Sequence, residues 1–462
     1  MSTPSLDPDF VPAAVWNRAY RRRVRESGGE PLIIALERGA GAVSVFRTEI
    51  LPHAGDCIGL NHRYVERVLK FLLWQKGGHK ITVAANPRIA DFLRGVYSPA
   101  GARAFDYHFM GERIYKAPFT IEWRPIEDAP RPAEQGAPLG RHLDGCRIGF
   151  DLGGSDRKCA AMIDGNVVFS EEVVWDPYYQ ADPRYHLEGI DDSLRRAAAH
   201  LPRVDAIGGS AAGVYIDNEP RVASIFRGVS PEQFESEVRP VFHRLRERWN
   251  NVPFLVVNDG EVAALGASMA LHDNAVLGVS MGTSQAAGYV TPEGFITGWL
   301  NELAFAPIDY REHLPHNDVP RDEWSGDDGV GAQYFSQQAV ARLLPAAGIE
   351  VPSDMPFAQR LLHTQGLMAA GDERARRVFA TIGTYFGYAI AHYAGFYELR
   401  HVLAMGRVTS GEGGDVILDE ARRVLETDFP EHAAIRLHLP GEQDKRHGQA
   451  AAAATLPALE QQ

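Results

Sequence analysis

Apolar and polar positions along the chain change period several times, and each change marks an element. From Pro31 to Leu51, β-branched and aromatic residues alternate on both sides of Gly39-Ala40-Gly41, which predicts two strands around a turn. Val65, Val68, Leu69 and Leu72 then fall on one face at helical spacing, predicting a helix around Tyr64–Trp74. Runs at Lys80–Ala85 and Phe119–Trp123 read as strands, and Pro125 to Gly140, rich in Pro, Ala, Glu and Gly, as a linker. Residues 1–125 are therefore expected to form a small α+β domain, in which nothing points to chemistry. Residues 13–25 set Val15, Trp16 and Tyr20 among Arg18, Arg21, Arg22, Arg23 and Arg25; a solvated helix face accounts for this better than a nucleic-acid grip.

Beyond the linker the pattern is written twice. Arg147–Leu152 is a buried strand, Gly153-Gly154-Ser155 a turn and Cys159–Ile163 a strand, with Asp164-Gly165-Asn166 turning into Val167–Val174. Ala275–Ser280, Gly282-Thr283-Ser284, Ala286–Val290 and Pro292-Glu293-Gly294 repeat the order strand, glycine turn, strand, hairpin turn. Between the copies, Val204–Ser210 is a strand, Pro231–Trp249 a helix and Val252–Val257 a buried strand. Asn258-Asp259-Gly260 then leads into a helix. Ile382, Tyr385, Phe386, Ala389, Ile390 and Tyr393 mark a late helix, and Val402–Met405 a strand followed by Gly406, Gly411, Gly413 and Gly414.

The bulk numbers narrow the partners. The chain has 462 residues, 45% hydrophobic and 23% charged, with a formal net charge of −13. Such an acidic surface repels phosphate backbones, so nucleic acid is not an expected partner. Cys57, Cys146 and Cys159 form no CxxC pair and suit a reducing compartment. Met1 to Phe10 has no apolar stretch of signal-peptide type, and no apolar run approaches the roughly 20 residues of a membrane span. A soluble, cytoplasmic protein is expected.

Certain residues then invite chemistry. Gly153, Gly154 and Ser155 follow Asp151: glycines let backbone N–H groups approach an anion, and a carboxylate at a strand end can hold Mg²⁺ directly or through water. Lys158 is near enough to neutralise phosphate. Gly-Gly-Ser is equally ordinary hairpin material. Gly282, Thr283 and Ser284 repeat the alternation of glycine and hydroxyl, and the pair together points to two loops holding one triphosphate, where catalysis is positioning and electrostatics. Asp259, at the end of a buried strand, suits a general base toward a substrate hydroxyl, although Asn258-Asp259 would also cap a helix. Glu302 and Asn258 are candidates for binding sugar hydroxyls, with Trp299 offering a ring face.

Taken in order, these segments resemble the ROK group (repressors, open reading frames, kinases) of sugar kinases, within the hexokinase/actin/heat-shock ATPase superfamily. The resemblance runs from Arg147 to Leu459. Asp151–Ser155 and Gly278–Ser284 are similar to its two phosphate motifs, and Ile207–Asp217, with Ser210 and Gly213, to its substrate-side segment. Asn258-Asp259 is similar to its Asn-Asp pair and Gly298–Leu303 to its sugar-binding segment. Gly406 and Gly411 stand where the adenosine motif is expected, and Arg446–Leu456 resembles its closing helix. The resemblance implies an α/β, two-lobed actin-like (ribonuclease-H-like) fold, with 141–256 and 446–462 as one lobe and 257–445 as the other. Residues 1–125 and the linker 126–140 stand outside it. It also implies ATP and Mg²⁺ as cofactors, Asp259 as catalytic base and a homodimer. Departures are informative: Phe305 replaces a histidine, Ala332 or Gln333 a second sugar-binding glutamate, and Ser325 and Val330 stand where zinc cysteines belong. No structural zinc is expected, nor ordinary glucose or mannose as substrate. An ATP-dependent sugar or polyol kinase is the first expectation; a catalytically silent sugar- or nucleotide-binding regulator is the second.

Overall fold

The computed structural model describes residues 1–134, 139–312, 319–441 and 448–459. The chain folds as two units. Unit 1 comprises Met1–Gln135, Ser280–Ala286 and Gly298–Leu439; unit 2 comprises Gly136–Val279, Ala287–Thr297 and Pro440–Gln462.

The N-terminal part of unit 1 follows the alternation of its sequence. Helix α1 (Ala13–Ser27) buries Tyr20 and Val24 and leaves its arginines exposed. Strands β1 (Glu30–Glu37) and β2 (Val43–Ile50) pair antiparallel about Gly41, whose φ of 75° suits glycine at the turn. Helix α2 (Cys57–Lys76) crosses the sheet, and β3 (Lys80–Ala84) pairs with β1. Helices α3 (Pro87–Val96) and α4 (Ala104–His108) precede β4 (Thr120–Arg124), which lies parallel to β3, giving the order β2-β1-β3-β4. The stretch after β4 is not free: Ala133 exchanges both backbone hydrogen bonds with Val43.

Unit 2 is built on β5 (Cys146–Leu152), β6 (Asp156–Ile163) and β7 (Asn166–Val174), an antiparallel meander. Its second turn places Asp164 and Gly165 at φ 44° and 80°, the left-handed pair that a two-residue hairpin demands. Helix α5 (Pro183–Ala198) returns the chain to β8 (Ala206–Ala211), parallel to β5, and a small hairpin follows, β9 (Val214–Ile216) and β10 (Glu219–Val222). The single helix expected over Pro231–Trp249 is interrupted. It divides into α6 (Pro231–Gln233), a wider turn over Phe234–Val238 and α7 (Val241–Arg248), because Pro240 has no N–H to continue the ladder. Strand β11 (Phe254–Asn258) lies parallel to β8 and feeds α8 (Asp259–Leu271), completing the order β11-β8-β5-β6-β7.

In the hairpin of β12 (Val276–Met281) and β13 (Gln285–Val290), the tip Ser280–Ala286 belongs to unit 1. The second copy of the repeat stops short of a third strand; Val290 and Ile296 form an isolated bridge instead. Unit 1 then continues through α9 (Gln337–Ala347), α10 (Phe357–Ala369), α11 (Glu373–Tyr393), β14 (His401–Met405), α12 (Glu412–Asp428) and β15 (Arg436–His438), with β14 and β15 parallel. Every position of α11 from Thr381 to Tyr393 is buried, which explains its apolar residues on all sides.

The closing helix expected over Arg446–Leu456 is α13 (Gly448–Ala454); Arg446 and His447 lie outside the described residues. It packs within unit 2 on β5 and β8 at Gly149 and Gly208, where a Cβ would overlap the carbonyl oxygens of Ala450 and Ala453. Among the described residues, no helix is long and apolar enough to cross a membrane.

A buried ionic cluster joins the N-terminal part of unit 1 to the loop after β13. Lys70 of α2 sits 2.8 Å from Asp106 and 3.1 Å from Asp327, and Asp106 also accepts from Trp74 Nε1 at 2.7 Å. Arg103 bonds to Asp327 and, at 2.5 Å, to Glu66. Removing one partner of such a cluster leaves the others charged and dry. Lys70→Met is expected to destabilise the protein by about 3–5 kcal/mol, read as a shifted urea-denaturation midpoint; an unchanged midpoint would show the cluster to be unimportant.

Candidate functional site

The C-terminal ends of three adjacent parallel strands of unit 2 carry the candidate residues, where open α/β sheets place their ligands. The register pairs Asp151 of β5 with Ser210 of β8, and Ala211 of β8 with Asn258 of β11. Ser210 Oγ donates to Asp151 Oδ1 at 2.7 Å and accepts from Gln449 Nε2 of α13 at 2.9 Å. The second hydrogen of that amide goes to the Asp259 carbonyl oxygen, also at 2.9 Å. One side chain of α13 thereby ties together the ends of β5, β8 and β11.

Asp151 is buried, and its pKa is pushed up to about 6. Burial is the main cause, and the like charge of Asp259 adds to it, while the Ser210 hydroxyl and Lys158 pull the other way. Lys158 stands opposite Asp151 on β6, its Nζ 3.9 Å from Asp151 Oδ2 and 3.1 Å from Asp156. Burial works against its charge, but Asp151 and Asp156 outweigh this and hold its pKa above the ordinary lysine value.

Asn258 caps α8: its Oδ1 accepts from Gly260 N at 2.7 Å, and its Nδ2 donates to Gly213 O at 2.7 Å. Gly213 has φ 129°, and a Cβ there would collide with the backbone of Val222 and Ala223. The Asp259 carboxyl is half-buried and accepts from Gly260 N at 3.0 Å; among the described residues no cation pairs with it. Its pKa is raised, chiefly by burial, with backbone N–H groups pulling it back. Gly260 N is thus shared between the neighbours, bonding to Asn258 Oδ1 as well as to Asp259 Oδ1. Tyr215 on β9 feels the Asp259 charge, which with burial raises its own pKa. Neither Tyr215 nor Gln449 stood out in the sequence. The turn Asp217-Asn218, both at positive φ, was the available signal for the β9–β10 hairpin.

The Gly153–Ser155 turn closes tightly. Gly153 N–H bonds to Asp156 O at 2.9 Å, Trp175 Nε1 donates to Gly153 O at 2.8 Å, and Ser155 Oγ donates to Asp156 Oδ2 at 2.9 Å. At Gly154 a Cβ would overlap the Tyr178 hydroxyl and ring. Among the described residues, no group of three or more His, Cys, Asp or Glu could hold a metal by itself. Asp151 still fits a cation: its charge is raised in energy by burial and by Asp259, which a divalent ion would relieve.

The remaining candidates lie in unit 1. Gly282 N–H bonds to Ser284 O at 2.9 Å, leaving Thr283 and Ser284 exposed at the hairpin tip. Gly406, at φ 96°, lies against the Met281 backbone so closely that a Cβ would collide with it, which sets the loop after β14 beside this tip. Gly411, at φ 68°, opens α12. Glu302 follows Asn301, whose φ is 50°. The C-terminal carbonyls of α2 define this segment: Trp74 O and Gln75 O accept from Glu302 N and Asn301 N at 2.9 and 3.0 Å. These are helix-end acceptors that have no partner within the helix. Trp299 is covered rather than open, with the Lys76 ammonium 2.8 Å from its ring centroid. Phe305 packs on Trp74, Phe105 and Phe109. In the loop of Ser325 and Val330, Asp322 acts as a cap, accepting from the Trp324 and Ser325 N–H groups and the Ser325 hydroxyl. Asp327 of the same loop turns into the Lys70 cluster.

No family model matches the chain, and no curated protein matches its sequence. Among solved structures, the ROK hexokinase from Thermus thermophilus is 20% identical with a TM-score of 0.50, over 67% of this chain and 97% of that one. A ROK family glucokinase from Streptomyces griseus in complex with glucose and AMPPNP is 19% identical (TM-score 0.47), over 67% and 98%. A putative N-acetylmannosamine kinase from Listeria monocytogenes is 13% identical (TM-score 0.47), over 67% and 97%. The fold is the actin-like α/β ATPase fold of the Thermus thermophilus hexokinase.

Because folding raises the Asp151 pKa, the folded state binds this proton more tightly than the unfolded state. Its contribution to stability therefore falls as pH rises from about 4 to about 6. Ser210→Ala removes the hydrogen bond that favours the carboxylate, so the Asp151 titration is expected to move above 6. Carboxyl-carbon NMR titration reads this; a downward shift would mean that Ser210 does not stabilise the charge.

Proposed function

We propose that this protein transfers the terminal phosphoryl group of ATP to a hydroxyl of a sugar or polyol, with Asp259 as general base. One observation carries the proposal: a carboxyl directly after the parallel edge strand β11, at the start of α8, its pKa raised and without a cationic partner among the described residues. Such a group can accept the hydroxyl proton as the oxygen attacks phosphorus, and a carboxylate already neutralised by lysine or arginine would be a weaker base.

The other roles belong to the same proposal. Asp151 is the residue that would hold Mg²⁺, which would supply positive charge to offset that of the phosphates. Lys158 adds positive charge beside it. Phosphates are assigned to Gly153, Gly154 and Ser155 and to Gly282, Thr283 and Ser284, and the nucleoside to the glycines at 406 and 411. Gly213 and Asn258 shape the acceptor side together with Ser210, and Glu302 accepts from acceptor hydroxyls. A homodimer is part of the same proposal.

Phe305, half-buried and packed on Trp74 and Phe105 where the resemblance calls for histidine, favours a second reading: a binding protein of the same fold that has lost turnover. A coupled ADP-release assay over sugars, amino sugars and polyols separates the two. The kinase reading expects turnover with at least one acceptor, and Asp259→Asn should lower it by about 10²–10⁴-fold while nucleotide binding persists. Turnover untouched by that substitution removes Asp259 from its role, and a wild-type protein silent on the whole panel supports the regulator.

A further inference from the structure

Unit 1 contains a cavity of about 420 Å³ between the β1–β2 sheet, the end of α2 and residues 394–398. That volume lies within the roughly 300–1,000 Å³ of small-molecule sites. Its apolar wall includes Leu72 and the rings of Phe46 and Phe396, stacked 5.5 Å apart. Its polar lining is unusual. Gln75 is fully buried; its Nε2 donates to Phe396 O at 2.9 Å, but its Oε1 receives no hydrogen bond. Lys76, the next residue, has no acceptor for its ammonium among the described residues and rests on the Trp299 ring. Glu134, a carboxylate of the lining, is already engaged by Arg38, Ser44 and, at 3.3 Å, Trp299 Nε1.

A cavity holding an ammonium without an acceptor and a buried acceptor without a donor among the described residues, together with an aromatic wall, is complementary to one kind of molecule. From this geometry we infer that the cavity binds a small 2-hydroxy carboxylic acid with an aryl or branched alkyl body. The carboxylate pairs with Lys76, the hydroxyl donates to Gln75 Oε1 and the apolar body lies against Phe46 and Phe396. A buried amide oxygen without a donor is costly, so the hydroxyl sets specificity. The site is distinct from the residues assigned to phosphoryl transfer, and its occupation does not depend on that assignment.

The protonation of Lys76 supplies an independent readout. Burial pushes its pKa down to about 7, Glu134 acting to raise it and Arg38 to lower it. A bound carboxylate favours the ammonium, so binding takes up a proton and weakens as pH rises above 7, by up to about tenfold per pH unit.

Isothermal titration of the full-length protein with 3-phenyllactate, in buffers of different ionisation enthalpy at pH 6.5, 7.5 and 8.5, tests this. One-to-one binding with proton uptake is expected, and at least tenfold weaker binding of 3-phenylpropionate, which lacks the hydroxyl, and of 3-phenyl-1,2-propanediol, which lacks the carboxylate. Lys76→Met should weaken binding at least tenfold and abolish its pH dependence, and Phe46→Trp, which fills the cavity from its apolar side, should also prevent binding. No binding of 3-phenyllactate at millimolar concentration to the wild-type protein overturns the inference, as does binding without proton uptake.

Discussion

The close seat of α13 on bare sheet is the constraint on which the candidate site depends. Gly149 and Gly208 lie on adjacent strands, and each lacks the Cβ that would strike a carbonyl of the helix. Because the helix can descend this far, Gln449 reaches both Ser210 Oγ and Asp259 O. The hydroxyl of Ser210 is thereby oriented, accepting from the amide and donating to Asp151. A larger residue at either glycine would lift the helix, and this relay would lose its donor before any candidate catalytic residue was touched.

The charges of the site are arranged by unequal burial. Asp151 and Asp259 both resist ionisation because the protein has replaced water around them, but they are compensated differently. Asp151 has a hydroxyl and a lysine nearby, while Asp259 has backbone N–H groups. Two carboxyls of the same kind thus acquire different electrostatic surroundings.

In unit 1 the N-terminal α+β layer does structural work for the segment around Glu302. The last carbonyls of α2 end on Asn301 and Glu302, the Trp74 ring packs on Phe305, and Lys70 reaches Asp327 in the loop of Ser325 and Val330. A buried ionic cluster is weak evidence for net stability, because desolvation offsets its attraction. Its geometry does, however, admit few alternatives, and here it holds together pieces of chain more than 200 residues apart (Lys70 and Arg103 with Asp327).

Local pattern was sufficient for much of this. Strands β1, β2 and β5 to β8, the turn at Asp164-Gly165 and the start of α8 at Asn258-Asp259 all depend on residues a few positions apart, and periodicity and turn chemistry report on that range. The same range made Asp151, Asp259 and the glycine turns legible as candidates. Within the helical stretch Pro231–Trp249 it did not register the break at Pro240. It was blind to Tyr215, to Gln449 and to the covering of Trp299 by Lys76. Those depend on partners brought together by the fold, such as Gln449 and Asp259, 190 residues apart. The sequence determined which groups the protein has available, and only the tertiary structure decided which of them meet, since a side chain's partner across a sheet leaves no mark on the spacing of its own neighbours.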